Sequence, residues 1–201
     1  MIFHKHQLIF IAIPKTATTS IWWMLRNRTD YWQGHQHYSM ESLYKHHDKD
    51  LLDYYYSFTI VRNPYDRFVS AFKHMKYNNN LQGCETPLET LKWLLEKKSQ
   101  SDTGNLEQHM VDDVWIPQNK WCSIHKVIVV DKVIKYETLQ SEWDEFVKLQ
   151  NERVPLSNLL IELPHQNQTL LPQETIILGD EEKKLIQKIY KQDFELFGYV
   201  M

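Results

Sequence analysis

The chain has 201 residues, 42% of them hydrophobic and 13% aromatic, enough to bury a sizeable core in a single domain over residues 1–201. Its 23 basic and 26 acidic side chains leave a net charge of −3, which argues against a binder of duplex nucleic acid and requires any anionic ligand to be held by a local pocket. Two distant cysteines, Cys84 and Cys122, form neither a disulfide framework nor a zinc pattern, so a reducing compartment is expected. The longest apolar run near the N-terminus is about six residues, against the roughly 20 of a membrane span. No secretory signal is legible, and a soluble, cytoplasmic protein is the expectation.

In chain order, Met1 to Gln7 reads as a short polar lead-in. Leu8 to Ile13 is hydrophobic and rich in β-branched side chains, as suits a strand buried on both faces. Pro14 stops it, and Lys15-Thr16-Ala17-Thr18-Thr19-Ser20 leads into a helix from about Thr18 to Arg28. Ser39 can cap a short helix from Met40 to His46. Leu51 to Tyr56 leads into a second strand, Phe58 to Val61. Asn63-Pro64 opens a helix to about Tyr77. Its Tyr65, Phe68, Val69 and Phe72 form one buried face, which Arg67 and Ser70 flank.

A helix over Leu88 to Lys98 follows, with another short one over Leu106 to Val114 and a loop at Trp115 to Gln118. Val127 to Val130 reads as a third buried strand, and Val133 to Tyr136 as a fourth. Thr138 or Ser141 caps a helix through Gln150. Pro155 to Leu171 is irregular. Asp180 caps the last helix, after which Phe194, Leu196 and Phe197 close the chain. Strands alternating with helices predict an α/β, three-layer, P-loop-like domain with a central, mainly parallel sheet flanked by helices.

Two stretches carry chemistry. In the first, a strand, a hydroxyl-rich turn with one lysine and a helix start make an anion site. Helix-start amides and the helix dipole point at the ligand, Lys15 adds a charge, and Thr18, Thr19 and Ser20 offer hydroxyls. The glycines of a Walker A loop are absent, and none lies between Met1 and Asn27. In the second, Arg62 ends a strand, where open α/β sheets bind ligands, and Ser70 lies two helical turns on. Together they can clamp one phosphate. Each stretch also has a plain structural reading. The first can be an N-capped helix with Lys15 solvated, and in the second Arg62 can pair with Asp66 or Glu41 while Ser70 merely packs.

As a pair, the segments resemble the sulfotransferases that use 3′-phosphoadenosine 5′-phosphosulfate (PAPS). PKTATTS is similar to their 5′-phosphosulfate loop, and VRNPYDRFVSAF to their 3′-phosphate segment. The chain looks most like the carbohydrate branch, which includes heparan sulfate 2-O-sulfotransferase and soluble bacterial relatives. Trp115 to Gln118, Val133 to Leu139, Leu163 to Thr169 and Tyr190 to Tyr199 resemble later segments of that branch, in the same order. Ala17 stands where the family more often has glycine, and smallness is what a phosphate loop needs there.

The resemblance implies in-line transfer of a sulfuryl group from PAPS to a carbohydrate or glycolipid hydroxyl, with adenosine 3′,5′-bisphosphate as product and no metal. It implies that Lys15 and the Thr16 to Ser20 loop bind the 5′-phosphosulfate, with Lys15 steadying the leaving oxygen, and that Arg62 and Ser70 hold the 3′-phosphate. The general base is sought between the two motifs. His37 aligns best, His35 is the runner-up and Glu41 a third candidate. The aromatics Trp22, Trp23, Trp32 and Tyr54 to Tyr56 are mostly core, with sugar stacking open to any of them. Gln118, His165 and Asn167 are weaker candidates for the cleft. Two other readings are carried. A nucleotide-dependent kinase would use the same strand, loop and helix but would need a metal. An inert nucleotide-binding module would bind without transfer.

Overall fold

The computed structural model describes residues 1–26, 37–100, 112–155 and 174–201. The chain forms two compact units, each drawn from two stretches of sequence: Met1–Arg62 with Asn119–Asn167, and Asn63–Gln118 with Gln168–Met201.

The first unit holds a mixed α/β arrangement around a four-stranded sheet. Its strands are β1 (Ile2–Phe3), β2 (Leu8–Ile11), β3 (Tyr56–Val61) and β6 (Lys132–Lys135), in the order β1-β2-β3-β6. β2, β3 and β6 run parallel, and β1 adds to β2 antiparallel. Every residue from Leu8 to Ile13 is fully buried, which is why this run needs no polar face. The opening residues are therefore not a polar lead-in. Ile2 and Phe3 are buried strand residues, and a single 3-10 turn over His4–His6 returns the chain into β2.

One face of the sheet packs Phe3, Leu8, Phe10, Phe58, Ile60 and Ile134 against Ile21 of α1 (Thr18–Arg26) and against Trp143 and Phe146 of α7 (Leu139–Arg153). Phe58 stacks on Phe10 at 4.7 Å between ring centres and meets Phe146 at a tilt, 4.6 Å away. Such aromatic pairs add about 1 kcal/mol each beyond their buried area. Polar clasps fix the register. The Asp131 carboxylate accepts from both the amide and the hydroxyl of Ser57, each at 2.7 Å, and Thr59 Oγ1 donates to the Ile11 carbonyl at 2.8 Å.

Around this sheet the chain adds α2 (Met40–His46), α3 (Lys49–Tyr54), a four-residue α6 (Asn119–Cys122) and a two-stranded hairpin, β4 (Ser123–Ile124) with β5 (Val127–Ile128). One expectation is corrected here. Val127 to Val130 is no buried sheet strand: only two of its residues pair, in the hairpin, and Val127 is 64% exposed. Leu51 and Leu52 belong to a helix, which Asp48 caps by accepting from the amides of Asp50 and Leu51.

The second unit is helical: α4 (Pro64–Tyr77), α5 (Pro87–Gln100), α8 (Asp180–Ile189) and α9 (Lys191–Phe197). Asn63 caps α4 through the Tyr65 amide at 3.0 Å, with Pro64 at the first position as its chemistry favours. Phe68, Phe72, Leu91, Leu94, Ile186, Ile189 and Phe194 form its core. Arg67, expected to flank the core, lies inside it at 2% exposure. Burial pulls its guanidinium below the usual arginine range, while Tyr190 and Asp193 oppose that fall. Asp193 also accepts the Gln118 amide at 2.8 Å. α8 starts after Gly179, so Asp180 is its first residue and not its cap. Leu196 is 39% exposed and closes nothing. Cys84 and Cys122 form no disulfide.

Candidate active site

The site is built where parallel strands end. β2 and β3 pair Ile11 with Thr59. Carrying that register on by two residues sets Ile13 level with Val61. The Pro14–Ala17 loop and Arg62 thus leave the same edge of the sheet from neighbouring strands, which lie about 5 Å apart. β6 continues the row. It pairs Lys135 with Val61, so Tyr136 follows at the level of Arg62.

The loop after β2 has an unusual backbone. Lys15 has φ 70° and Ala17 φ 66°, while Thr16 and Thr18 keep negative φ. Left-handed backbone costs a residue with a β-carbon about 1–2 kcal/mol. Position 17 is where the resembling family more often has glycine, and its conformation supplies the reason. Alternation of hand along Lys15, Thr16, Ala17 and Thr18 turns successive amides toward one side, forming a concave nest for an anion. Thr16 Oγ1 and Thr18 Oγ1 both donate to the Ile13 carbonyl, at 2.8 and 2.6 Å. The one hydroxyl proton of Thr18, offered above to a ligand, is therefore spent in shaping the loop. The α1 ladder begins with the amides of Ser20 and Ile21 on the Ala17 carbonyl. The amides of Thr18 and Thr19 stand ahead of it at the positive end of the helix. Lys15 is half-buried and Thr19 exposed, whereas Ser20 is buried.

Arg62 is half-buried, and its guanidinium lies 4.4 Å from the centre of the Tyr136 ring. A guanidinium held over an aromatic face is oriented by it, and a fork of N–H donors suits a grip on phosphate. Tyr136 was quoted above only within a longer segment, with no task. The register that seats it under Arg62 exists only once the sheet has formed.

His37 sits just before α2, whose start is fixed by the Ser39 hydroxyl accepting the Ser42 amide at 3.1 Å. Its Nδ1 lies 2.7 Å from the carbonyl oxygen of Ala12, at the end of β2 and three residues before Lys15. A carbonyl only accepts, so Nδ1 carries the hydrogen and the neutral ring keeps its lone pair on Nε2. The ring also meets Trp121 edge to face, 6.0 Å between centres. Lys15, Arg62 and Tyr136 thus all follow strands at the carboxyl-end edge of one sheet, and the His37 ring is tied to that edge through Ala12.

Glu41 stands apart. It is exposed and paired with Lys45 at 2.8 Å, whose ammonium holds its carboxyl below the usual range, so it is a poor proton acceptor. The Lys45 pairing also leaves no sign of the Glu41–Arg62 bridge weighed above. His35, Trp32, His165 and Asn167 lie outside the described residues, as do the side chain of Trp23, residues 106–111 of the expected helix and most of the Pro155 to Leu171 segment. Tyr54 to Tyr56 enter β3 at its other end, about 20 Å from Arg62 at the rise of a strand, and do not line this edge. Gln118 is fully buried, and its amide is held by Asp193. Ser70 is half-buried on α4, in the second unit. Among the described residues no cluster of three or more His, Cys, Asp or Glu could hold a metal, and no helix is long and apolar enough to cross a membrane.

No curated protein and no solved structure matches the chain. Its residues 1–200 match the model of the Sulfotransferase family, which is nearly the whole length. A match of that extent settles the family: the chain belongs to the Sulfotransferase family of enzymes.

Proposed function

We propose that this sulfotransferase moves a sulfuryl group from PAPS to a hydroxyl of a carbohydrate acceptor, as in the heparan sulfate 2-O-sulfotransferase branch. The observation that carries the reading is the shared edge: the Lys15 nest and Arg62 leave neighbouring parallel strands at one level. A nucleotide with phosphate groups at two positions suits two such anchors, and the nest fits a phosphate better than any neutral group.

When bound, PAPS supplies the sulfuryl group and the phosphate that departs with the nucleotide. Lys15 sets a positive charge where negative charge grows on the leaving oxygen, and the Thr18 and Thr19 amides add fixed dipoles. Thr16 and Thr18 brace the loop through Ile13, so its shape is set before the ligand arrives. Arg62, held on Tyr136, grips the 3′-phosphate and fixes the orientation of the nucleotide. Ser70 is assigned to that phosphate on the motif alone. His37 takes the acceptor hydroxyl proton on Nε2. As the ring becomes positive, the Ala12 carbonyl on Nδ1 stabilises it.

Two measurements test this. Adenosine 3′,5′-bisphosphate should raise the melting temperature where ADP at equal concentration does not; equal shifts would remove the cofactor assignment. His37→Ala should lower kcat by roughly 10²- to 10⁴-fold, the usual contribution of a positioned base. It should leave bisphosphate affinity intact, and unchanged turnover would remove His37 from the role.

A further inference from the structure

We propose that the cavity between α2, α3 and β4 is a subsite for a neutral sugar unit of the acceptor, and that the acceptor is a chain of several sugars. The inference rests on the reading of the acceptor as a carbohydrate. The cavity holds about 430 Å³ and is lined by Tyr44, Lys49, Asp53 and Ile124. Small-molecule sites run from roughly 300 to 1,000 Å³, with an apolar wall and a few convergent polar groups. Here Tyr44 and Ile124, both half-buried, supply the wall, and the exposed Lys49 and Asp53 supply the polar groups.

The two charges do not pair with each other. On α2, Glu41 pairs with Lys45 at 2.8 Å, and on α9 Lys191 pairs with Glu195 at 3.5 Å, each across one helical turn. Lys49 and Asp53 have the same spacing on α3 but form no ion pair among the described residues. Asp53 instead accepts the Tyr44 hydroxyl on one oxygen, at 2.8 Å. Burial and that bond push the Tyr44 phenol up to about 12, so the clasp between α2 and α3 holds at neutral pH. The Lys49 ammonium and the second Asp53 oxygen are left to face the cavity, one a donor and the other an acceptor. A pyranose has hydroxyls that serve both, and C–H faces for the apolar wall. One cation beside one anion exerts little net pull on a charged ligand, which favours a neutral one.

The walls are set in advance. Ser39 caps α2, Asp48 caps α3, and β4 packs on α2. Ile124 leads straight into the two-residue turn His125-Lys126, with left-handed φ of 50° and 66°, the handedness that keeps a hairpin tight. His37 precedes α2 and Tyr44 lies in its last turn, so base and cavity stand toward opposite ends of a helix about 10 Å long. A single pyranose does not reach both, whereas a chain of sugars laid along α2 does.

The test probes an array of neutral, uronate-bearing and sulfated oligosaccharides with the full chain and adenosine 3′,5′-bisphosphate. Neutral hexasaccharides should bind the wild type. Ile124→Arg, which fills the cavity, and Asp53→Ala should each weaken that binding about tenfold while circular dichroism shows them folded. Should Ile124→Arg not fold, Lys49→Met, at an exposed position, takes its place. A wild type that binds only acidic glycans, or none, overturns the proposal, as do folded variants that bind like the wild type. In a transfer assay on a neutral hexasaccharide that the array identifies, the variants should raise KM about tenfold and leave kcat and the KM for the matching disaccharide unchanged. An unchanged hexasaccharide KM overturns the proposal too. Neutral glycans that bind through the cavity but take up no sulfate would sink the transfer reading alone, since the array still decides whether the cavity holds a sugar.

Discussion

On the proposed reading, the two strand ends hold an anion by opposite means. After β2 the backbone does the work. Left-handed Lys15 and Ala17 and the first amides of α1 form a cup, and two threonine hydroxyls lock it to Ile13. After β3 the backbone is ordinary, and one side chain does the work: Arg62, held over the Tyr136 ring. A cup made of amides tolerates changes of side chain but not of backbone conformation. A grip made of one guanidinium tolerates neither loss of charge nor loss of shape. The two ends should therefore fail differently when altered.

The largest expected effect is at Lys15, the one side-chain charge in the cup. Lys15→Ala should lower kcat by about 10³-fold, the scale of losing one donor to a developing oxyanion. The amide cup remains, so bisphosphate binding should fall far less; calorimetry beside a transfer assay separates the two. An equal loss in both would mean that the cup binds through Lys15 and not through its amides. Next is a control for Arg62. Arg67 stands five residues on but acts within the core, beside the charge of Asp193. Asp193→Asn leaves that buried guanidinium without its counter-charge and should cost about 3 kcal/mol in urea unfolding. The folded fraction should bind bisphosphate as before.

Arg62→Lys keeps the charge but loses the fork and the stack, and should weaken bisphosphate binding by about tenfold, near 1.4 kcal/mol. Ala17→Gly removes a left-handed β-carbon, at the price of more freedom in the unfolded chain. A net gain of about 0.5–1 kcal/mol in chemical denaturation is expected. No gain would show that the loop is relaxed and the cup unstrained. The smallest effect lies away from both ends. Burial and the bond to Asp53 push the Tyr44 phenol up to about 12 from its ordinary 10. A raised folded value stabilises fully below the unfolded one. The stability difference between wild type and Tyr44→Phe should thus hold steady to pH 10 and shrink as pH climbs to 12.

Much of this was legible in the residues. The apolar run Leu8 to Ile13, Pro14 as a stop, and Pro64 as a helix opener speak through local sterics, and each structural feature follows within a residue or two. The two candidate phosphate segments were legible as patterns. Their shared edge was not, because it depends on which strands pair. Arg62 and Arg67 look alike on paper; only tertiary packing makes one half-exposed and the other core. Ile2 and Phe3 were too short a run to announce a strand, and Val127 to Val130 was apolar enough to suggest one that packing does not form. Lys45 pairs with Glu41 by a contact one helical turn away, a spacing that could have been read.

The order of the strands has a bearing on how the protein keeps in solution. Among the described residues the sheet ends in β1, two residues long, and in β6, four residues with lysine at each end. A neighbouring molecule in search of a ladder to extend meets a stub on one flank and a four-residue strand on the other. The long hydrophobic strands lie between them, shielded from intermolecular pairing.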